Sequence, residues 1–125
     1  MSEIIGIGCD LCAISRMEHL IQKQSFLDRC FTPAEQTYFS ERGRMAASSA
    51  AAVWAAKEAA LKAFGVGLAV PLTDVEVRHL NSGLPVYALH GKALTLVQGG
   101  RLHLSLSHEG GMALAFCVWE KVADC

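Results

Sequence analysis

The chain has 125 residues, 52% of them hydrophobic and 18% charged, with a net charge of −1. That size suits a single domain spanning residues 1–125, and so apolar a composition excludes a disordered chain. With 11 basic residues against 12 acidic ones there is no global basic field for nucleic acid, so any anionic partner must be met by a local cluster.

In chain order, EIIGIGCD (3–10) is short, β-branched and glycine-containing, and reads as a mostly buried strand. Ile14, Met17, Leu20 and Ile21 then recur at helical spacing within 12–23. FTPAEQTYF (31–39) carries a helix start, with Thr32 as N-cap, Pro33 at the first position and Glu35 at the third. Arg42, Gly43 and Arg44 interrupt, and a long helix is predicted over 45–64, stopped by Gly65 and Gly67.

The second half reads as β. TDVEVRHL (73–80) alternates, with Val75 and Val77 on one face and Glu76 and Arg78 on the other. NSGLP (81–85) is a turn, PVYAL (85–89) a strand and GKALTLVQGG (91–100) a short helix. In LHLSLSH (102–108), Leu102, Leu104 and Leu106 face inward and His103, Ser105 and Ser107 face the other way. A turn at EGG (109–111) leads into MALAFCVWE (112–120), read as a buried strand. The plan is α+β.

The N-terminus lacks the basic and apolar regions of a secretory leader, and no apolar run is long enough to span a bilayer. Five scattered cysteines (Cys9, Cys12, Cys30, Cys117, Cys125) suit a reducing, cytoplasmic setting better than a disulfide framework.

The long helix poses a question of charge. At about 100° per residue, Val53, Trp54, Leu61 and Phe64 form one bulky stripe and alanines fill the opposite side. Glu58 and Lys62 share one edge, and Lys57 lies among the bulky residues. One reading is a surface ion pair at i,i+4, worth about 0.2–0.5 kcal/mol. The other is a polar site in which Glu58 faces a hard cation such as magnesium and Lys62 faces a phosphate. Asp10, where the first strand meets the first helix, is either a helix N-cap or a second metal ligand. For Lys57, the sequence leaves open whether it snorkels past Trp54 to water or reaches a phosphate.

Two further patterns carry chemistry. Cys9 and Cys12 have the C-x-x-C spacing of a redox dithiol or half of a zinc site, but lack a second ligand pair. SLSH (105–108) supplies hydrogen-bonding groups for a ligand, or the polar face of an edge strand.

GIGCDLCAISRM (6–17), FTPAE (31–35), WAAKEAALKAFGVG (54–67) and SLSH (105–108), in this order and spacing, resemble the holo-acyl-carrier-protein synthases. These are the compact phosphopantetheinyl transferases. The resemblance implies one long central helix packed on a mostly antiparallel sheet, and a homotrimer with active sites between subunits. It implies magnesium-dependent transfer of phosphopantetheine from coenzyme A to a serine of an acyl carrier protein, without nucleic acid or membrane partners. A non-catalytic coenzyme A-binding module is the alternative.

Position by position, the resemblance implies Asp10 and Glu58 as the metal-binding acids and Lys62 as the catalytic lysine facing the coenzyme's phosphates. It implies Gly65 and Gly67 beside the nucleotide, and Ser107 and His108 on a coenzyme-contacting strand reached from the adjacent subunit. Arg16 would meet the acidic carrier protein. The family often has arginine where Val53 stands, and Arg42 or Arg44 is the candidate to replace it at a coenzyme phosphate.

Overall fold

The computed structural model describes residues 1–66 and 69–122. Strand β1 (Ser2–Ala13) runs past Asp10, so helix α1 (Ile14–Leu20) is shorter than the 12–23 expected from its periodicity. A second short helix, α2 (Gln24–Cys30), which the sequence pattern did not mark, buries Phe26 and Cys30. Helix α3 (Pro33–Glu41) starts as its motif requires. Glu35 N donates to Thr32 Oγ1 at 3.2 Å, and Thr32 N donates back to Glu35 Oε1 at 2.9 Å.

A 3₁₀ turn at Gly43–Met45 absorbs the break before α4 (Ala46–Phe64). Gly65 ends α4 in the left-handed region, at φ 72°; Gly67 lies outside the described residues. Another 3₁₀ turn, Leu72–Asp74, leads to β2 (Val75–His79), β3 (Pro85–Leu89), α5 (Gly91–Val97), β4 (Gly100–Glu109) and β5 (Met112–Val122).

All the described strand pairs are antiparallel. One sheet has the order β1-β5-β4, and β2-β3 forms a second. Helix α4 lies with its alanine side on the first sheet, where Ala113, Ala115 and Cys117 are fully buried. The glycines of GIG permit this approach: a Cβ on Gly6 or Gly8 would overlap the carbonyl oxygen of Ala63 or Ala59. The bulky stripe packs elsewhere. The Trp54 ring lies 5.7 Å from Phe26 and 6.5 Å from Phe31 between centroids, and Phe64 lies 5.2 Å from Trp119.

Two expectations need correction. β1 and β5 were expected to be buried, yet only one face of each is. A single layer covers this sheet, and strand side chains alternate between faces. On the open face Ile4 is 66%, Ile7 60%, Leu11 60%, Leu114 38% and Phe116 42% exposed. Conversely Glu76, expected on a polar face of β2, is buried. Its carboxylate accepts from Thr32 Oγ1 at 3.1 Å, meets His90 Nε2 at 2.7 Å and pairs with Arg78 at 3.4 Å. Burial pushes its pKa up, but these partners outweigh burial and hold it below the ordinary value.

Candidate active site

Asp10 projects from the inner face of β1, on the same side as Gly8 and Cys12, opposite Ala115 of β5. Lys62 reaches across from α4. Its Nζ donates to Asp10 Oδ1 at 3.1 Å and to the Cys9 carbonyl oxygen at 3.0 Å. The ion pair therefore ties helix to strand and is not the local Glu58–Lys62 pair. Asp10 is not a helix cap either, because Ala13 is the N-cap residue of α1 and no side chain bonds there.

Glu58 stands one turn before Lys62 on the same edge of α4, partly buried. Burial pushes its carboxyl pKa up, the Asp10 charge pushes it further, and Lys62 and Arg16 pull it partly back. Asp10, Glu58 and Lys62 thus form one electrostatic cluster, with Arg16 at its margin. The exposed Arg16 guanidinium, on α1, lies 5.5 Å from the Trp54 ring centroid.

Among the described residues no third carboxylate, cysteine or histidine completes a metal-ligating group. Two carboxylates alone suit a hard cation that fills its remaining positions with water and substrate phosphate oxygens. The donor set thus fits magnesium. It does not fit zinc: Cys9 is exposed and Cys12 buried, three residues apart in a strand and so on opposite faces. The same placement rules out a Cys9–Cys12 dithiol within the chain.

The third charge of the helix has a different fate. Lys57 is fully buried. Its Nζ lies 2.7 Å from Glu35 Oε1 and donates to the carbonyl oxygens of Leu72 at 2.9 Å and Val75 at 3.1 Å. It neither snorkels nor approaches Asp10.

A groove of about 690 Å³ opens beside the N-terminal half of α4, lined by Tyr38, Arg42, Ser48, His79, Leu84 and His108 among others. His108 Nε2 lies 3.4 Å from the Ser48 carbonyl oxygen. The Tyr38 and His79 rings stack at 4.1 Å and 8°. Arg42 Nε donates to Ser49 Oγ at 3.2 Å, and its guanidinium lies 5.6 Å from the Tyr38 centroid. Burial lowers the His79 pKa and the Arg42 charge lowers it further.

Of the two arginines considered in place of the one missing at Val53, Arg42 lines the groove and Arg44 does not. Ser107 also lies away from it, on the open face of the sheet opposite Leu114. Gly65 sits at the end of α4, beyond Lys62. Tyr38 and His79 were not singled out from the sequence. The i,i+4 spacing of Tyr38 and Arg42 was the available signal for one; His79 comes from a distant strand and leaves no local trace.

The groove and the acidic cluster lie on opposite flanks of α4. Ala52 and Ser49 are about 120° and 180° from Glu58 around the helix. Asp10 comes from β1 and the groove's His108 from β4, on either side of β5.

Residues 6–117 match the family model of the 4′-phosphopantetheinyl transferase superfamily. The holo-(acyl-carrier-protein) synthase of Trichlorobacter lovleyi is 44% identical over 124 residues, covering 94% of this chain and 98% of the relative. The structure of the Neisseria meningitidis holo-(acyl-carrier-protein) synthase has a TM-score of 0.83 at 33% identity, covering 95% of this chain and 100% of that one. That of the Bacillus anthracis synthase, in complex with CoA (3′,5′-ADP), has a TM-score of 0.80 at 31% identity, covering 95% and 98%. By sequence over nearly its whole length and by fold, the chain belongs to the 4′-phosphopantetheinyl transferase superfamily.

Proposed function

We propose that the chain transfers 4′-phosphopantetheine from coenzyme A to a serine hydroxyl of an apo acyl carrier protein, releasing adenosine 3′,5′-bisphosphate. The observation that carries this reading is the meeting of Asp10, Glu58 and Lys62 at the seam of β1 and α4, in a chain of this family.

Magnesium would be held by Asp10 and Glu58, and when bound would supply positive charge against the coenzyme's pyrophosphate. Lys62 neutralises charge that develops on the phosphoryl oxygens and the leaving phosphate. The serine oxygen bonds to the phosphorus nearer the pantetheine. The bond from that phosphorus to the bridging oxygen breaks, and its electron pair leaves with the bisphosphate. Glu58, at the edge of the cluster, takes the serine proton. Positioning and charge neutralisation supply most of the rate.

The groove takes the nucleotide half, with Arg42 and His108 as its cationic or hydrogen-bonding groups. A coenzyme that touches both groove and cluster is held between two copies, because the two lie on opposite flanks of α4 within one copy. The open sheet face, with Ile4, Ile7, Leu11, Leu114 and Phe116, supports assembly of copies into a homotrimer. Arg16 receives the acidic carrier protein at the edge of the cluster. No helix among the described residues is long and apolar enough to cross a membrane. The free thiols of Cys9, Cys12, Cys30 and Cys117 support a cytoplasmic setting.

Incubation with coenzyme A, magnesium and an apo acyl carrier protein, read by intact mass, tests the reading. The carrier should gain one phosphopantetheine. Asp10→Ala and Glu58→Ala should each lose transfer; near-wild-type rates at saturating magnesium would sink the metal assignment.

A further inference from the structure

The cluster contains a feature that catalysis alone does not require. Lys62 Nζ donates to Asp10 Oδ1 and to the Cys9 carbonyl oxygen, both on β1. The ammonium therefore stands at the carboxylate that a divalent cation would also need. The Lys62 side chain is 55% exposed and that of Asp10 only 17%. The carboxylate is largely enclosed in the seam, whereas the lysine has open solvent beside it.

We propose that Lys62 is a built-in competitor of the metal, a resident cation that occupies Asp10 until coenzyme phosphates draw it off. Its consequence is coupling: the free enzyme binds the metal weakly, and coenzyme and metal favour each other. The argument is electrostatic. A lone pair of carboxylates a short way apart needs a counter-charge, and Lys62 supplies one to Asp10 at no entropic cost of a free ion. A divalent cation arriving at Asp10 must displace that ammonium or sit beside it, and like charges a few ångströms apart repel. A phosphate near the cluster offers Lys62 an alternative anion and vacates Asp10. By linkage, the factor by which coenzyme strengthens metal binding equals the factor by which metal strengthens coenzyme binding. This inference rests on the proposed metal role of Asp10 and Glu58, and goes beyond it in giving Lys62 a function before any substrate is bound.

Mn²⁺ titration by calorimetry, or by the electron paramagnetic resonance signal of the free ion, tests it without turnover. Wild type, Lys62→Met, Lys62→Gln and Lys62→Arg are compared with and without saturating coenzyme A, carrier protein being omitted. Without coenzyme, Lys62→Met and Lys62→Gln should bind Mn²⁺ about two- to fivefold more tightly than wild type, as expected for loss of an exposed ion pair. Lys62→Arg, which keeps the charge, should resemble wild type. Coenzyme A should tighten Mn²⁺ binding more in wild type than in the two neutral variants, because they have no lysine to release.

Equal Mn²⁺ affinity in wild type and both neutral variants would overturn the competition while leaving the metal site in place. Absence of Mn²⁺ binding by every protein, with and without coenzyme, would remove the metal site and the competition together. Because Lys62 is largely exposed, its substitution leaves the core untouched, and matched melting curves check that the variants are folded.

Discussion

Lys57 Nζ lies 2.7 Å from Glu35 Oε1, and the two side chains are 0% and 1% exposed. The same carboxylate closes the capping box of α3 at Thr32 and accepts from Val77 N at 2.7 Å. One buried glutamate thus joins α3, α4 and β2. Burial lowers the Lys57 pKa, and the Glu35 charge and hydrogen bond raise it part of the way back. Lys57→Met should destabilise the protein by about 3–5 kcal/mol, because it leaves a buried carboxylate unpaired. Urea denaturation measures this. A loss below about 1 kcal/mol would mean that Glu35 is satisfied without its lysine.

Glu58 should oppose stability where it serves catalysis. Its carboxyl pKa is raised by burial and then by Asp10. A group whose folded pKa is raised contributes stability below its unfolded pKa, and loses it as pH rises through the folded value. At neutral pH the ionised Glu58 is therefore a cost. Glu58→Gln should melt higher than wild type near pH 7, with the difference shrinking as pH falls through the raised folded value and gone below the ordinary carboxyl value. Transfer by the variant should fall at least about 100-fold. Thermal melts at several pH values, beside the transfer assay, check both halves; a lower melting temperature at pH 7 would contradict the electrostatic account.

Arg16 separates carrier docking from chemistry. Arg16→Glu should raise KM for the carrier protein about tenfold or more and leave KM for coenzyme A within about twofold. The Arg16 charge also lowers the Glu58 pKa. The acidic limb of the pH–rate profile should therefore move to higher pH in the variant. Equal weakening toward both substrates would place Arg16 in the coenzyme site instead.

The open sheet face is the place to test assembly. Phe116 is 42% exposed and lies between Cys9 and Ser105 in adjacent strands. Phe116→Glu should shift the mass measured by light scattering from trimer to monomer, and should reduce transfer because the groove of one copy is then no longer held against the cluster of its neighbour. A wild-type monomer with full activity would overturn the shared-site geometry.

Much of this protein is determined by sequence alone. The strand-then-long-helix order, the capping box at Thr32 and Glu35, and the stop at Gly65 follow from local rules of spacing and backbone freedom. So does the grouping of Glu58 and Lys62 on one edge of α4, since 3.6 residues per turn fixes it. What only the tertiary structure decided is which distant group each charge meets. Lys62 finds Asp10 rather than Glu58, because Gly6 and Gly8 let β1 approach α4 closely enough for the lysine to span the gap. Lys57 finds Glu35, and Cys9 and Cys12 part onto opposite faces of β1. The apolar runs of β1 and β5 were legible as strands but not as half-open ones, because strand periodicity does not say how many layers cover a sheet. Local periodicity orients a side chain on its own element; its partner, and hence its role, comes from elements packed against it from far along the chain.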